Sequence, residues 1–316
     1  MINNKNTGFY RIGAVFFLFC CFVFVPFING CSSFSNIKKK TKGIVREINF
    51  LDENLKKKVW VTSFDNRSSW KAQNFNVFFR EKLVETIKDT CSQILLIDPK
   101  EEGYSDHLPI LSSGGIDNFA LAEHGRLSGL NAIVTGYLAD LSAEQKKRGL
   151  WWFKDTHYYL QMRIVMAVYD TETAAKLIDE DFVHKVEVDE TTYQTAVSKK
   201  DENIPEIDNA FVHAANVLGE KICDAVGIEP WKGYIISKSD DRITISSGRR
   251  SGLGPGDILK VYEIGTIIEG AGDCRFSGCG HETGEIKLTD VSSDTAEGIQ
   301  VSGEVKNVGA AVRFKQ

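Results

Sequence analysis

The chain has 316 residues, with 38 Lys and Arg against 43 Asp and Glu, and a net charge of -5. Apolar residues make up 42% and charged residues 26%, ordinary globular values that exclude a disordered chain, a fibrous repeat and a multi-span membrane protein. The acidic balance argues against a nucleic-acid partner, which needs a basic face, and the length corresponds to about two domains.

Residues 1–30 carry Lys5 and Arg11 and no acid, and every residue from Ile12 to Phe27 is apolar or small, with Pro26 near the end. This run is shorter than the ~20 residues that span a bilayer comfortably. A basic start, an apolar middle and a small-residue end read as a secretory signal. Ile28-Asn29-Gly30-Cys31 then resembles the bacterial lipobox, which implies a lipidated Cys31 as the first mature residue. A plain signal peptide cut near Gly30 and an uncleaved anchor are the competing readings. Removing residues 1–30 takes the net charge from -5 to -7. Ser32 in place of Asp after the lipidated Cys implies sorting to the periplasmic face of the outer membrane. Residues 31–58 form a tether whose Lys38, Lys39, Lys40 and Lys42 are either solvated or close to anionic headgroups.

From Val59 the pattern becomes that of an α/β domain, residues 59–228. Val59–Phe64 reads as a strand closed by the polar turn Asp65-Asn66-Arg67-Ser68-Ser69. A helix follows, with Phe75, Phe78, Phe79, Leu83 and Ile87 on one face. Ile94–Ile97 reads as a short buried strand, residues 116–127 as a second helix, and residues 131–138 as the next strand. Tyr158–Tyr169 and Lys176–Val188 alternate apolar and polar residues around Asp170-Thr171-Glu172-Thr173, the pattern of an antiparallel hairpin with one solvated face. Ile207, Phe211, Ala214, Leu218, Ile222 and Ala225 mark a strong helix.

Near Gly227–Trp231 the composition shifts. Residues 231–316 hold 14 of the 27 glycines and show five short strands separated by tight turns, near 233–237, 242–246, 257–263, 284–290 and 295–301. This predicts a small all-β domain, barrel or sandwich, so the fold class is α+β. Of seven cysteines, Cys31, Cys91, Cys223, Cys274 and Cys279 remain after processing. Cys274 and Cys279 flank a four-residue segment containing Gly278, and a local disulfide is the leading expectation. Free thiols or a partial metal site with His281 are the alternatives. Cys91 and Cys223 read as small apolar residues of helices.

The order βαβαβββα, with Val59–Phe64 running into Asn66-Arg67-Ser68 and Ala132-Ile133-Val134-Thr135-Gly136 after a helix, resembles the TolB amino-terminal-like fold. The curli-secretion lipoprotein, the lipoprotein activator of penicillin-binding proteins and the middle domain of flagellar assembly protein T share that fold. Tyr169-Asp170-Thr171-Glu172-Thr173 approximates the curli-type strand end. Gly233-Tyr234-Ile235-Ile236, Gly252-Leu253-Gly254-Pro255-Gly256-Asp257 and Thr283-Gly284-Glu285-Ile286 resemble the carboxyl-terminal domain of flagellar assembly protein T. Together the resemblances cover residues 59–316. They imply a non-enzymatic scaffold of an envelope machine, a flagellar ring or secretion system, held to the membrane by its lipid anchor and binding envelope proteins, with self-association into a ring among the options. A lipoprotein regulator of a peptidoglycan synthase is the alternative, and a curli-like export pore ranks third.

No motif points to catalysis. The Gly252–Asp257 run lacks the Lys-Ser/Thr of a phosphate loop and reads as a β-turn. The six histidines are scattered with no metal-spaced pair, and there is no Gly-x-Ser-x-Gly elbow. The expectation is therefore no enzyme, no metal, no cofactor and no small-molecule substrate. One surface segment stands out, Lys146-Lys147-Arg148-Gly149-Leu150-Trp151-Trp152-Phe153-Lys154, read as a loop between two strands. Trp151, Trp152 and Phe153 beside basic residues fit a membrane or partner contact, or else an aromatic cluster folded back over the sheet.

Overall fold

The computed structural model describes residues 55–70, 75–97, 108–198, 203–239 and 242–315. Cys31, the signal peptide and nearly all of the tether lie outside them. Residues Leu51–Gln316 form one compact unit.

The amino-terminal half is built on a sheet in the order β3-β1-β4-β5-β6. Its strands are β1 (Lys57–Val61), β3 (Ile94–Leu96), β4 (Ala132–Leu150), β5 (Phe153–Asp170) and β6 (Lys176–Val188), and a two-residue β2 (Asp65–Asn66) pairs beside β4. β1 runs parallel to both β3 and β4, whereas β4, β5 and β6 are antiparallel neighbours. Period-two alternation sends Val59 and Val61 to one face of β1 and Trp60 to the other. On the first face lie α1 (Phe75–Thr90) and α4 (Pro205–Ile228). The α1 stripe Phe75, Phe79, Leu83 and Ile87 recurs every four residues and is fully buried. Phe75 meets Phe211 of α4 with ring centroids 4.9 Å apart. Pro205 at the first turn of α4 costs no hydrogen bond there. On the opposite face α2 (Asn118–Leu127) covers Trp60, Ile133 and Tyr169 with Leu121. Asp117 caps α2 by accepting from the Ala120 N–H at 3.1 Å. A short helix, α3 (Glu190–Ser198), sits against β5 and β4, with the Tyr193 ring 4.7 Å from that of Tyr158.

The carboxyl-terminal half is a closed barrel, β12-β13-β8-β7-β14-β9. The strands are β7 (Gly233–Ser239), β8 (Arg242–Ile245), β9 (Ile258–Tyr262), β12 (Glu282–Val291), β13 (Ala296–Gly303) and β14 (Ala311–Phe314). The five expected strands are all present. The sixth, β14, pairs with both β7 and β9 and closes the barrel, which decides between barrel and sandwich. Its core of Ile235, Ile245, Leu259, Ile286 and Val312 also takes in Leu55 from ahead of β1. A flap made of β10 (Ile267–Glu269) and β11 (Arg275–Ser277) interrupts the barrel between β9 and β12.

No exposed linker separates the halves: Trp231 and Lys232 are buried. The Lys232 and Asp170 side chains, each 3% exposed, form an ion pair, and Glu172 stands 3.4 Å from the same ammonium. Glu172 also takes two 2.9 Å hydrogen bonds from Arg313 of β14. Asn131 donates to the Lys232 carbonyl at 2.6 Å, and the Thr171 and Tyr234 hydroxyls meet at 2.8 Å. Lys58 donates to the Ser246 carbonyl at 2.7 Å. Burial opposes the Lys232 charge, but Tyr234, Asp170 and Glu172 around it hold its pKa above the ordinary lysine value of 10.5. The Asp170–Thr173 turn expected between the two long strands is thus also the seat of the barrel. The barrel meets the end of the sheet where β1 and β4 begin and β5 ends.

The cysteines depart from expectation. Cys274 and Cys279 are free thiols, and the disulfide joins Cys91 to Cys223, with Cα atoms 5.7 Å apart. The reason is the flap. Gly270 and Gly278 donate to the Cys274 and Thr266 carbonyls, so residues 274–278 are held extended. With β11 (Arg275–Ser277) between them, the five residue steps from Cys274 to Cys279 at ~3.3 Å each put the two Cα atoms up to about 16 Å apart, far beyond bridging distance. Cys91 and Cys223 instead meet across the α1–α4 seam, where Gly219 leaves room for Thr86.

Mass mapping of non-reduced peptides should recover Cys91 linked to Cys223 and find Cys274 and Cys279 alkylated. Cys91→Ala should lower stability by about 2–4 kcal/mol, given the long loop closed. Lys232→Met should cost about 3–5 kcal/mol in chemical denaturation, because Asp170 is left buried without its cation. Adding Asp170→Asn, which keeps an acceptor for Thr173, should restore part of it. Because the folded-state pKa of Lys232 is raised, its contribution is fully present below pH 10.5 and fades only at higher pH.

Candidate functional site

β4 and β5 are 19 and 18 residues long, about three times an ordinary strand. Their pairing continues without a break from Asp140↔Arg163 to Leu150↔Phe153. The third strand, β6, stops at Tyr158↔Val188. Beyond that point lie five two-stranded rows: Lys146↔His157, Lys147↔Thr156, Arg148↔Asp155, Gly149↔Lys154 and Leu150↔Phe153. At ~3.4 Å per row the hairpin projects about 17 Å past the sheet as a free arm. The segment expected to be a loop is therefore strand up to its last two residues.

Charge and ring contacts hold the base of the arm. Glu144 pairs with Lys185 of β6 and, at 3.2 Å, with Lys146, and these hydrogen bonds hold its carboxyl below its ordinary pKa, Lys185 most strongly. His157 donates to Glu187 at 2.6 Å and depresses that carboxyl too. Arg148 and Lys185 lie over the Tyr159 ring, 5.4 and 4.5 Å from its centre. Cross-strand pairs of this kind contribute roughly 0.2–1 kcal/mol each, enough together to keep polar sequence in strand geometry.

The tip is a two-residue turn. Trp151 has φ 52° while Trp152 does not share the positive φ, the pattern of a type II′ turn, which favours Gly at its first central position. A tryptophan there is strained. Leu150, Trp151, Trp152 and Phe153 are 80%, 76%, 77% and 76% exposed, and among the described residues the two indoles have ring contact with each other alone, edge to face at 5.2 Å. They do not fold back over the sheet. Trp151, Trp152 and Phe153 come together at the tip as consecutive residues must. Leu150 is the member that sequence reasoning left out of the candidate set. Its signal was its place after Gly149, opposite Phe153.

The crevice between the halves, lined by Arg126, Glu172, Tyr234, Glu263 and Gly309, holds only about 10 Å³, space for a single water at most. Among the described residues no helix is long and apolar enough to cross a membrane.

No family model matches this chain, and no characterised protein sequence matches it. Solved structures that align with it include a hypothetical protein of Chlamydia trachomatis, at 13% identity and TM-score 0.34, covering 55% of this chain and 99% of that one. A lipoprotein of Neisseria meningitidis, GNA1162, aligns at 9% identity and TM-score 0.27, covering 45% and 93%. The LpoB carboxyl-terminal domain of Salmonella enterica aligns at 14% identity and TM-score 0.25, covering 47% and 95%.

Trp151→Gly should raise the unfolding midpoint, since it relieves backbone strain of about 1 kcal/mol or more at an exposed site whose one ring contact is with the equally exposed Trp152. A lower midpoint would mean that the indole supports the arm.

Proposed function

We propose that this protein is a non-enzymatic, lipid-anchored scaffold component on the periplasmic face of the outer membrane, serving an envelope machine such as a flagellar ring or a secretion system. The single observation that carries the reading is the arm: a sheet-continuous projection that ends in exposed aromatic groups and carries no reactive constellation. Such a device makes contacts and performs no chemistry. Two further features support it. The α/β half and the barrel are joined by buried ion pairs, as suits a part that transmits position. The lipobox-like Ile28–Cys31 sequence and the resemblance to the TolB amino-terminal-like and flagellar assembly protein T families point to an anchored envelope protein. A pore built from this hairpin is disfavoured. A membrane-spanning strand needs ~9–11 residues with an apolar outward face, whereas Gln145, Lys147, Thr156 and Lys154 line one face of the arm and Lys146, Arg148, His157 and Asp155 the other.

Replacing Cys31 with Ala should abolish acyl mass on the mature chain and make it extractable by high-salt wash; a chain that still resists the wash is anchored elsewhere. Photo-crosslinking in living cells from Val183, exposed on the edge strand β6, should capture flagellar or secretion components. Capture of a peptidoglycan synthase alone would overturn the scaffold reading in favour of a synthase regulator.

A further inference from the structure

We propose that the tip of the arm, Leu150–Phe153 with its collar of Lys146, Lys147, Arg148 and Lys154, is an interfacial anchor that inserts into an anionic lipid bilayer. The inference deepens the reading of the arm as a contact device by naming its occupant, and it is independent of lipidation at Cys31.

Three observations carry it. The first is shape. The apolar groups sit on a convex two-residue turn at the end of a free arm, not on a flat or concave face. Protein hot spots gain most of their energy from matched pockets and a surrounding rim that excludes water, and the rows behind this turn offer no such rim. A lipid surface supplies its own closure, and tryptophans favour the headgroup boundary, where an apolar ring body and a polar N–H are both accommodated.

The second is charge. Residues 146–155 hold four cations against Asp155 alone, a local excess of +3 in a chain of net charge -5. The cations stand one to four rows behind the apolar row, about 3–14 Å at ~3.4 Å per row, with Lys154 and Lys147 on one face and Lys146 and Arg148 on the other. Lys154, the nearest, falls at the depth where phosphate groups would lie once the turn is immersed, and the others add attraction from further back. The third is depth. Within the free arm, apolar side chains are confined to the Leu150↔Phe153 row and the turn beyond it, and each of the four rows behind, back to Lys146↔His157, carries a charged or polar side chain. Immersion therefore stops after roughly 5–7 Å, within the range of interfacial insertion and far short of spanning. The strained Trp151 fits this account: Gly suits the turn better, and an indole there has a role outside the fold.

The test uses the compact unit, residues 51–316, which lacks the signal segment and Lys38, Lys39, Lys40 and Lys42. Of its five tryptophans, Trp60, Trp70 and Trp231 are buried, so an emission shift on binding reports Trp151 and Trp152. The unit should sediment with vesicles of equal parts phosphatidylglycerol and phosphatidylethanolamine, with a blue shift, and bind far less to phosphatidylcholine alone. The Trp151→Gly/Trp152→Asn variant keeps residues that suit the turn and should fold normally by circular dichroism while losing vesicle binding at least about 10-fold. Changing Lys146, Lys147, Arg148 and Lys154 to Gln should weaken binding to anionic vesicles on the order of 100-fold, with little effect on phosphatidylcholine. Equal binding to neutral and anionic vesicles, or a Gly/Asn variant that sediments like the parent, overturns the proposal. So does a photo-crosslinker at position 152 that yields protein adducts and no lipid adducts in cells. None of these outcomes depends on Cys31, so failure of the lipid-anchor reading stays distinguishable.

Discussion

A lysine ammonium and a carboxylate removed from water survive only in each other's company, because either alone in a protein interior costs several kcal/mol. Lys232 and Asp170 are such a pair, and the arrangement of the whole unit depends on them. Asp170 ends β5 and Lys232 stands just before β7, so one contact fixes where the sheet stops and where the barrel starts. Glu172 extends the link to Arg313 on the strand that closes the barrel. Lys58 and Asn131, at the starts of β1 and β4, complete it from the other strands. The barrel thus seals one end of the sheet, and the arm leaves from the other.

Much of this was legible in the residue order. The i, i+4 recurrence of Phe75, Phe79, Leu83 and Ile87 leaves little choice but a helix, and the expected strand Lys176–Val188 has the same bounds as β6. The glycine-rich shift near Trp231 locates the barrel. What stayed hidden depends on partners far away in the chain. Lys232, between Trp231 and Gly233, looks like any surface lysine until Asp170, 62 residues earlier, is placed against it. The Cys91–Cys223 link spans 132 residues, whereas the nearby Cys274 and Cys279 invited a local bond that the flap's ladder forbids. Asp140 to Arg148 shows no clean alternation and few strand-favouring residues. It is strand because β5 pairs with it along its full length.

The candidate site was found in sequence for one reason: three consecutive aromatics beside four basic residues have no account in core formation. What sequence could not supply was their presentation. The same residues in a folded-back loop would cover the sheet. At the end of a two-stranded arm, with a strained turn between them, they meet solvent almost completely.

The parallel pairing of β1 with β4 has a mechanical consequence. The chain enters the sheet at Lys57, level with the start of β4, while the arm tip lies 18 residues further along β4, about 60 Å away at 3.4 Å per residue. A load held at Lys57 and applied at the tip therefore pulls β1 and β4 in opposite directions along their common axis. In that geometry the hydrogen bonds between them are sheared together, not peeled one at a time. The Lys56 and Lys58 contacts to the barrel add to the resistance at the held end. Tension between root and tip thus meets the three β1–β4 pairs side by side, the loading direction in which they must give way as a group.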